Sequence, residues 1–256
     1  AAAHILGIKR IFRIGGAQAV AALAFGTASI PKVDVVVGPG NIYVARAKAQ
    51  LQGTIGIDAI AGPSEIVVIA DKGANPYWIA CDLLSQAEHD PMASAMLITP
   101  EESLVQEVLT EIEREQATLP RRAITVQSIA DHGACIVTQD IDEAIAIANT
   151  IAPEHLELML SDAMAYLDKI RNAGAVFLGY HCMEAIGDYV AGPNHTLPTA
   201  ATARFSSPLG VYNFLKRTSI VGMSPQAVRD LGPLAARLAR SEDLEAHARS
   251  VECRLS

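Results

Sequence analysis

Apolar positions along this chain follow two alternating periods. Short runs such as VDVVVG at 33–38, PSEIVVIAD, SAMLIT, ACIVTQ, HLELML and AVFLG are apolar nearly throughout, the pattern of strands buried on both faces. Between them lie segments with helical spacing: AQAVAALAFG, IYVARAKAQLQG, PYWIACDLLSQAEHD, EESLVQEVLTEIEREQ, DIDEAIAIANTIAP and AMAYLDKIRNAG. KRIFRIGG reads as a further strand and turn ahead of the first Ala-rich helix. Strands separated by helices of this length predict βαβ crossovers and a mostly parallel sheet, hence an α/β fold. From about Phe205 the texture changes to loop and short strand. The tail then reads as two helices with a break near Ser241, capped at the front by Ser224 with Pro225 at the first helical position. This tail has little core of its own, so it is expected to pack on another domain or on a partner subunit.

Composition narrows the classes. Half of the 256 residues are hydrophobic and 19% are charged, enough apolar material for a sizeable core. The net charge is -8 with no basic stripe, which argues against nucleic acid as a ligand. No apolar run reaches the roughly 18 residues that span a bilayer, and AAAHILGIKR lacks the apolar core of a signal peptide. Cys81, Cys135, Cys182 and Cys253 form no CxxC pair, so neither a disulfide framework nor a thiolate zinc site is indicated, and a cytoplasmic location is expected. Any bound metal should therefore take His, carboxylate and amide ligands.

Several polar residues stand out against this background. Gln86 and His89 are three apart on a predicted helix and would share a face, a spacing usable for two metal ligands. Taken alone, such a pair is more often a solvated helix face. Glu154 and His155 follow Pro153 and precede LELML, a boundary beside a strand, read as the βα boundary where catalytic groups commonly sit. His155 could exchange protons with a substrate hydroxyl near neutral pH. Asp188 and His195 flank Gly192-Pro193-Asn194 in a segment read as a shaped loop, and His247 with Glu242 lies on the last helix. GPGN at 38–41 and GPS at 62–64 adjoin strands, where backbone N–H groups could approach an anion, although a tight turn is the simpler reading.

The order and wording of these segments go beyond each one singly. IGGAQAVAALAFGT, VVVGPGNIYVARAKAQLQG, IDAIAGPSEIVVIAD, SQAEHDPMASAMLIT, APEHLEL, NAGAVFLG and GDYVAGPNHTLPT closely resemble the histidinol dehydrogenase family, over essentially the whole chain. The resemblance implies NAD-dependent oxidation of L-histidinol to L-histidine through an aldehyde, by a homodimer with one zinc ion per subunit. It places the zinc ligands on Gln86, His89, Asp188 and His247, the last from the neighbouring subunit, and the acid/base pair on Glu154 and His155. Substrate contacts are implied for Ser64, Gln86, His89, His155, Asp188, His195, Glu242 and His247, and NAD contacts for Gln18 and Asn41.

The implied architecture is two Rossmann-like βαβ domains and a helical tail: residues 1–62 as the remainder of an NAD-binding domain, 63–208 as a zinc and catalytic domain, and 209–256 as a dimerisation tail. Members of the family carry a long portion ahead of IKRIFRIGG, so both domains are expected to lack N-terminal elements here. Two other readings stay open at this point. One is a related zinc- and NAD-dependent dehydrogenase of another polar alcohol. The other is a zinc-binding fragment without turnover.

Overall fold

The structure, a computed structural model, describes residues 1–255. The chain folds as two compact units, Ala1–Phe214 and Leu215–Ser256.

The first unit contains two parallel sheets. The smaller one pairs β1 (Val35–Val36) with β2 (Gly56–Ile57), and is preceded by α1 (Ala2–Ile5) and α2 (Gly16–Phe25) and crossed over by α3 (Ile42–Leu51). Val20, Ala24, Val36 and Ile55 form its small core. Asn41 starts α3 by accepting from Tyr43 N and Val44 N at 3.1 and 3.2 Å. KRIFRIGG forms no strand: residues 8–15 have no pairing partner among the described residues, and Ile11 is 65% exposed. A strand is stable only as part of a ladder.

The larger sheet is built from β3 (Glu65–Ala70), α4 (Pro76–Ala87), β4 (Ser94–Thr99), α5 (Glu102–Gln116), α6 (Arg122–His132), β5 (Ala134–Val137), α7 (Ile141–Ile151), β6 (His155–Met159), β7 (Ala175–Leu178) and α8 (Glu184–Tyr189). All pairings are parallel, in the order β5-β4-β3-β6-β7. Helices cover both faces, which explains the lack of polar alternation in the central strands. Ile66, Val68, Ala70 and Met159 pack with residues of α4 and α5. Val67, Ile69, Leu156 and Leu158 pack with α7 on the other side. Helix α6 carries no strong apolar period and was not expected from the sequence.

Helix termini are set by local chemistry. Asn75 caps α4 by accepting from Tyr77 N at 2.9 Å, with Pro76 at the first position. Asp140 caps α7 through Glu143 N at 2.8 Å, while the Glu143 carboxylate accepts from Gln139 N, one residue ahead of the cap, at 2.6 Å. Ala152 ends α7 in the left-handed region at φ 55°, and Pro153 prevents its continuation.

The second unit is two helices, α9 (Pro225–Ser241) and α10 (Glu245–Glu252). Ser224 Oγ accepts from Ala227 N at 3.1 Å and Pro225 opens α9, as the sequence predicts. Arg240 ties the pair together through Glu245 and Glu252. The unit buries Gly232, Ala236 and Ala248, while Leu231, Leu234 and Leu238 stay about half exposed. Among the described residues, no helix is long and apolar enough to cross a membrane.

Candidate active site

The termination of α7 delivers Glu154 and His155 directly to the start of β6. This corrects the sequence expectation of a βα boundary. The pair lies at the amino end of a strand, level with Glu65 at the amino end of β3, where Ile66 pairs with His155. A dinucleotide crevice would instead lie at the carboxyl ends. The loop before β7 closes against the pair: Gly174 N donates to Pro153 O at 2.9 Å and Ala175 N to Glu154 O at 2.8 Å. A Cβ on Gly174 would sit 2.5 Å from the Glu154 carbonyl oxygen, so only glycine permits this approach.

Both members of the pair are buried. Glu154 Oε2 accepts from Glu65 N at 3.1 Å. His155 Nδ1 lies 3.0 Å from the Glu65 carbonyl oxygen, which can only accept, so Nδ1 carries the proton and Nε2 the free lone pair. Burial lowers the His155 pKa to about 4, against the smaller opposing effect of the Glu65 contact, so the ring is neutral at pH 7. Burial raises Glu154 to about 8, and the carboxylates of Glu65, Asp188 and Glu184 add to that rise.

Helix α8 brings further acids to the same place. Glu184 Oε1 stands 3.8 Å from His155 Nε2. His155, Glu184 and Asp188 each contribute a ligand-type atom within 4.8 Å of one another. Burial raises Glu184 to about 7, with the neighbouring Asp188 as the next cause. Gln86, on the last turn of α4, is fully buried, yet neither its amide oxygen nor its amide nitrogen has a protein partner. A buried unpaired amide costs stability.

The other residues singled out from the sequence fall as follows. His89 does not share a helical face with Gln86: α4 ends at Ala87 with Glu88 as its C-cap, and His89 lies exposed in the following turn, close enough for its charge to act on His155. It is not part of the His155, Glu184 and Asp188 trio. Asp188 lies on α8 rather than in an irregular loop. Ser64 is half-buried immediately before β3, and His195 is exposed in the 190–198 segment. Gln18 is exposed on α2, and Asn41 is the cap of α3. Glu242 and His247 are exposed in the second unit.

Four carboxylates at the site were not picked out from the sequence: Glu65, Asp82, Glu157 and Glu184. Only Glu157 carried a usable signal, a charged residue inside the run LELML with apolar neighbours on both sides.

Fold and site together define an α/β protein with a buried histidine-carboxylate centre at the amino ends of a parallel sheet. The comparisons assign it to a family. The histidinol dehydrogenase family profile matches residues 1–255, and the chain belongs to that family. It is 58% identical over 256 residues to the histidinol dehydrogenase of Pseudomonas savastanoi pv. phaseolicola, covering 100% of this chain and 57% of that protein. It is 56% identical over 250 residues to that of Halalkalibacterium halodurans, covering 98% of this chain and 59% of the relative. The crystal structure of histidinol dehydrogenase from Elizabethkingia anophelis superposes with a TM-score of 0.91 at 42% identity, covering 99% of this chain and 58% of that one. The chain thus spans 57–59% of the length of these curated relatives.

Proposed function

We propose that this chain carries the catalytic machinery for NAD-dependent, zinc-requiring oxidation of L-histidinol to L-histidine through the aldehyde, the end of histidine biosynthesis. The observation that carries the reading is the buried Glu154-His155 pair, with the tautomer of His155 fixed by Glu65. A neutral imidazole with its lone pair free is the form a general base needs at pH 7.

Gln86, His89, Asp188 and His247 are proposed to hold zinc. The unpartnered, buried amide of Gln86 supports a ligand role there, and a mixed nitrogen and oxygen set suits a divalent ion. Gln18 and Asn41 are proposed to contact NAD. Asn41 Oδ1 is taken by the cap of α3, which leaves its amide nitrogen for a ligand. When bound, zinc orients the amino alcohol and NAD accepts hydride.

The chain's own groups account for the proton movements. His155 Nε2 takes the proton of the substrate hydroxyl, and the Glu65 carbonyl steadies the resulting imidazolium through Nδ1–H. Glu154 then takes a proton from the water that hydrates the aldehyde. It would do so as a carboxylate, the form that a divalent ion held at Asp188 would favour. Ser64 and His195 are proposed to contact substrate at the rim.

The second unit is proposed to complete the site of a second copy through His247 and Glu242. Its half-exposed Leu231, Leu234 and Leu238 are consistent with a helix that needs a partner. The test is NADH formation by the chain with zinc, NAD and L-histidinol. Two NADH per histidinol is expected. Zinc bound near one per chain with no NADH formed would overturn the reading.

A further inference from the structure

Glu157 lies at the centre of the larger sheet, where a carboxyl group is costly. It pairs with Val68 of β3 and Phe177 of β7, and it is fully buried. Side chains alternate along a strand, so Glu157 shares a face with His155. On that face its Oε1 accepts from Glu184 N, the first amide of α8, at 2.6 Å. Its Oε2 meets no donor. The carboxyl also meets the Asp82 side chain of α4, a contact that becomes a hydrogen bond when one proton lies between the two acids. A methionine or leucine would fill the same space without desolvating a charge.

Helix α8 rests on the sheet at a second point. A Cβ on Gly187 would come within 2.8 Å of the Phe177 ring, so the helix backbone lies directly on β7. Glu184 and Asp188 are one turn apart, on one face of α8. The 2.6 Å contact thus fixes the register and height of the helix that carries both of these groups to His155.

We propose that Glu157 is a positioning residue: its carboxyl anchors the first turn of α8 to β6 and so holds Glu184 and Asp188 in place against His155. This role deepens the function proposed above, and its primary readout does not depend on that function.

The test compares the unaltered full chain with Glu157→Met and Glu157→Gln by amide hydrogen exchange and by zinc titration of the metal-free protein. Glu157→Met is expected to speed exchange in residues 183–189 at least tenfold, with the central strands still protected, and to weaken zinc binding at least tenfold. Glu157→Gln keeps a carbonyl acceptor for Glu184 N and offers an N–H to Asp82, so it should restore both. Normal α8 protection and normal zinc affinity in the Glu157→Met variant would overturn the proposal, as would equal impairment of the Glu157→Gln variant. Should the Glu157→Met variant fail to fold, the Glu184 amide of the unaltered protein decides. A downfield-shifted, slowly exchanging proton is expected, and an ordinary shift with fast exchange overturns the anchor. Absence of NADH with α8 still anchored would count against the proposed activity alone.

Discussion

His155 Nδ1 and the Glu65 backbone carbonyl, 3.0 Å apart, join the first residues of two neighbouring strands. The contact is main-chain on one side, so no side-chain substitution at position 65 removes it. It leaves Nε2 as the only ring atom able to accept a proton.

The first prediction concerns that atom. His155→Ala should lower kcat by about 10²–10⁴-fold, the usual contribution of a general base. Zinc content should stay near that of the unaltered protein, because the proposed ligands are other residues. Metal analysis beside steady-state kinetics checks both. Loss of zinc, with turnover of the residual loaded enzyme unchanged, would refute the base role.

Protonation of the pair also makes the stability of the metal-free protein depend on pH. Glu154 is raised from 4.5 to about 8, so the folded state holds its proton more tightly than the unfolded chain does. That stabilisation is complete below about pH 4.5 and is lost as pH rises through 8. His155 is lowered from 6.5 to about 4, so its contribution is present above 6.5 and is lost as pH falls toward 4. The two slopes oppose one another between 4.5 and 6.5; above 6.5 the Glu154 slope continues, joined by those of Glu184, raised by burial to about 7, and of Glu157, also raised by burial. The melting temperature should therefore fall from pH 6.5 to about 9. Glu154→Gln, a mimic of the neutral acid, should make that fall shallower, and an equally steep curve in the variant would exclude Glu154 as a contributor.

These carboxylates also mark the limit of what was legible in the sequence. The alternation of apolar runs and helices was enough for the α/β class, and Pro153 followed by Glu154-His155 was enough to locate the junction, though it was read as a βα rather than an αβ boundary. Burial of charge was not legible. Asp82 read as an ordinary helix acid and the helix that carries Glu184 was not expected, because the burial of both depends on a parallel register that brings β6, α4 and α8 together across the chain. His89 was placed on the wrong side of a helix end. Asp90-Pro91 follows directly, and the chain leaves the helix before position 89. The strand expected in KRIFRIGG failed for lack of a pairing edge.

Lys48 and Asp58 give a prediction for the smaller sheet. Their side chains are almost fully buried and lie 2.5 Å apart, and Asp58 Oδ2 accepts from Gly38 N at 2.7 Å. Lys48 Nζ also donates to the Gly38 carbonyl, so the pair pins the turn that leads into Asn41. Removing one partner leaves the other charge buried and alone, which costs about 3–5 kcal/mol. Lys48→Met should lower stability by that amount in denaturant titration and weaken NAD binding through the loosened turn. Combining it with Asp58→Leu should recover much of the stability but not the NAD affinity. Equal recovery of both would show that the turn does not depend on the ion pair.

Gln86 should behave in opposite ways with and without metal. Its buried amide has no protein partner at either polar atom. Gln86→Leu removes that unmet hydrogen bonding and should stabilise the metal-free fold by about 1–3 kcal/mol. The same change deletes a proposed zinc ligand, so zinc affinity should fall at least tenfold and the stabilisation gained on adding zinc should shrink with it. Melting curves recorded across a zinc titration test both halves at once: the variant should start higher and rise less. A variant that starts lower, or that gains as much from zinc as the unaltered protein, would remove Gln86 from the metal site and leave its bare amide as a packing feature of α4.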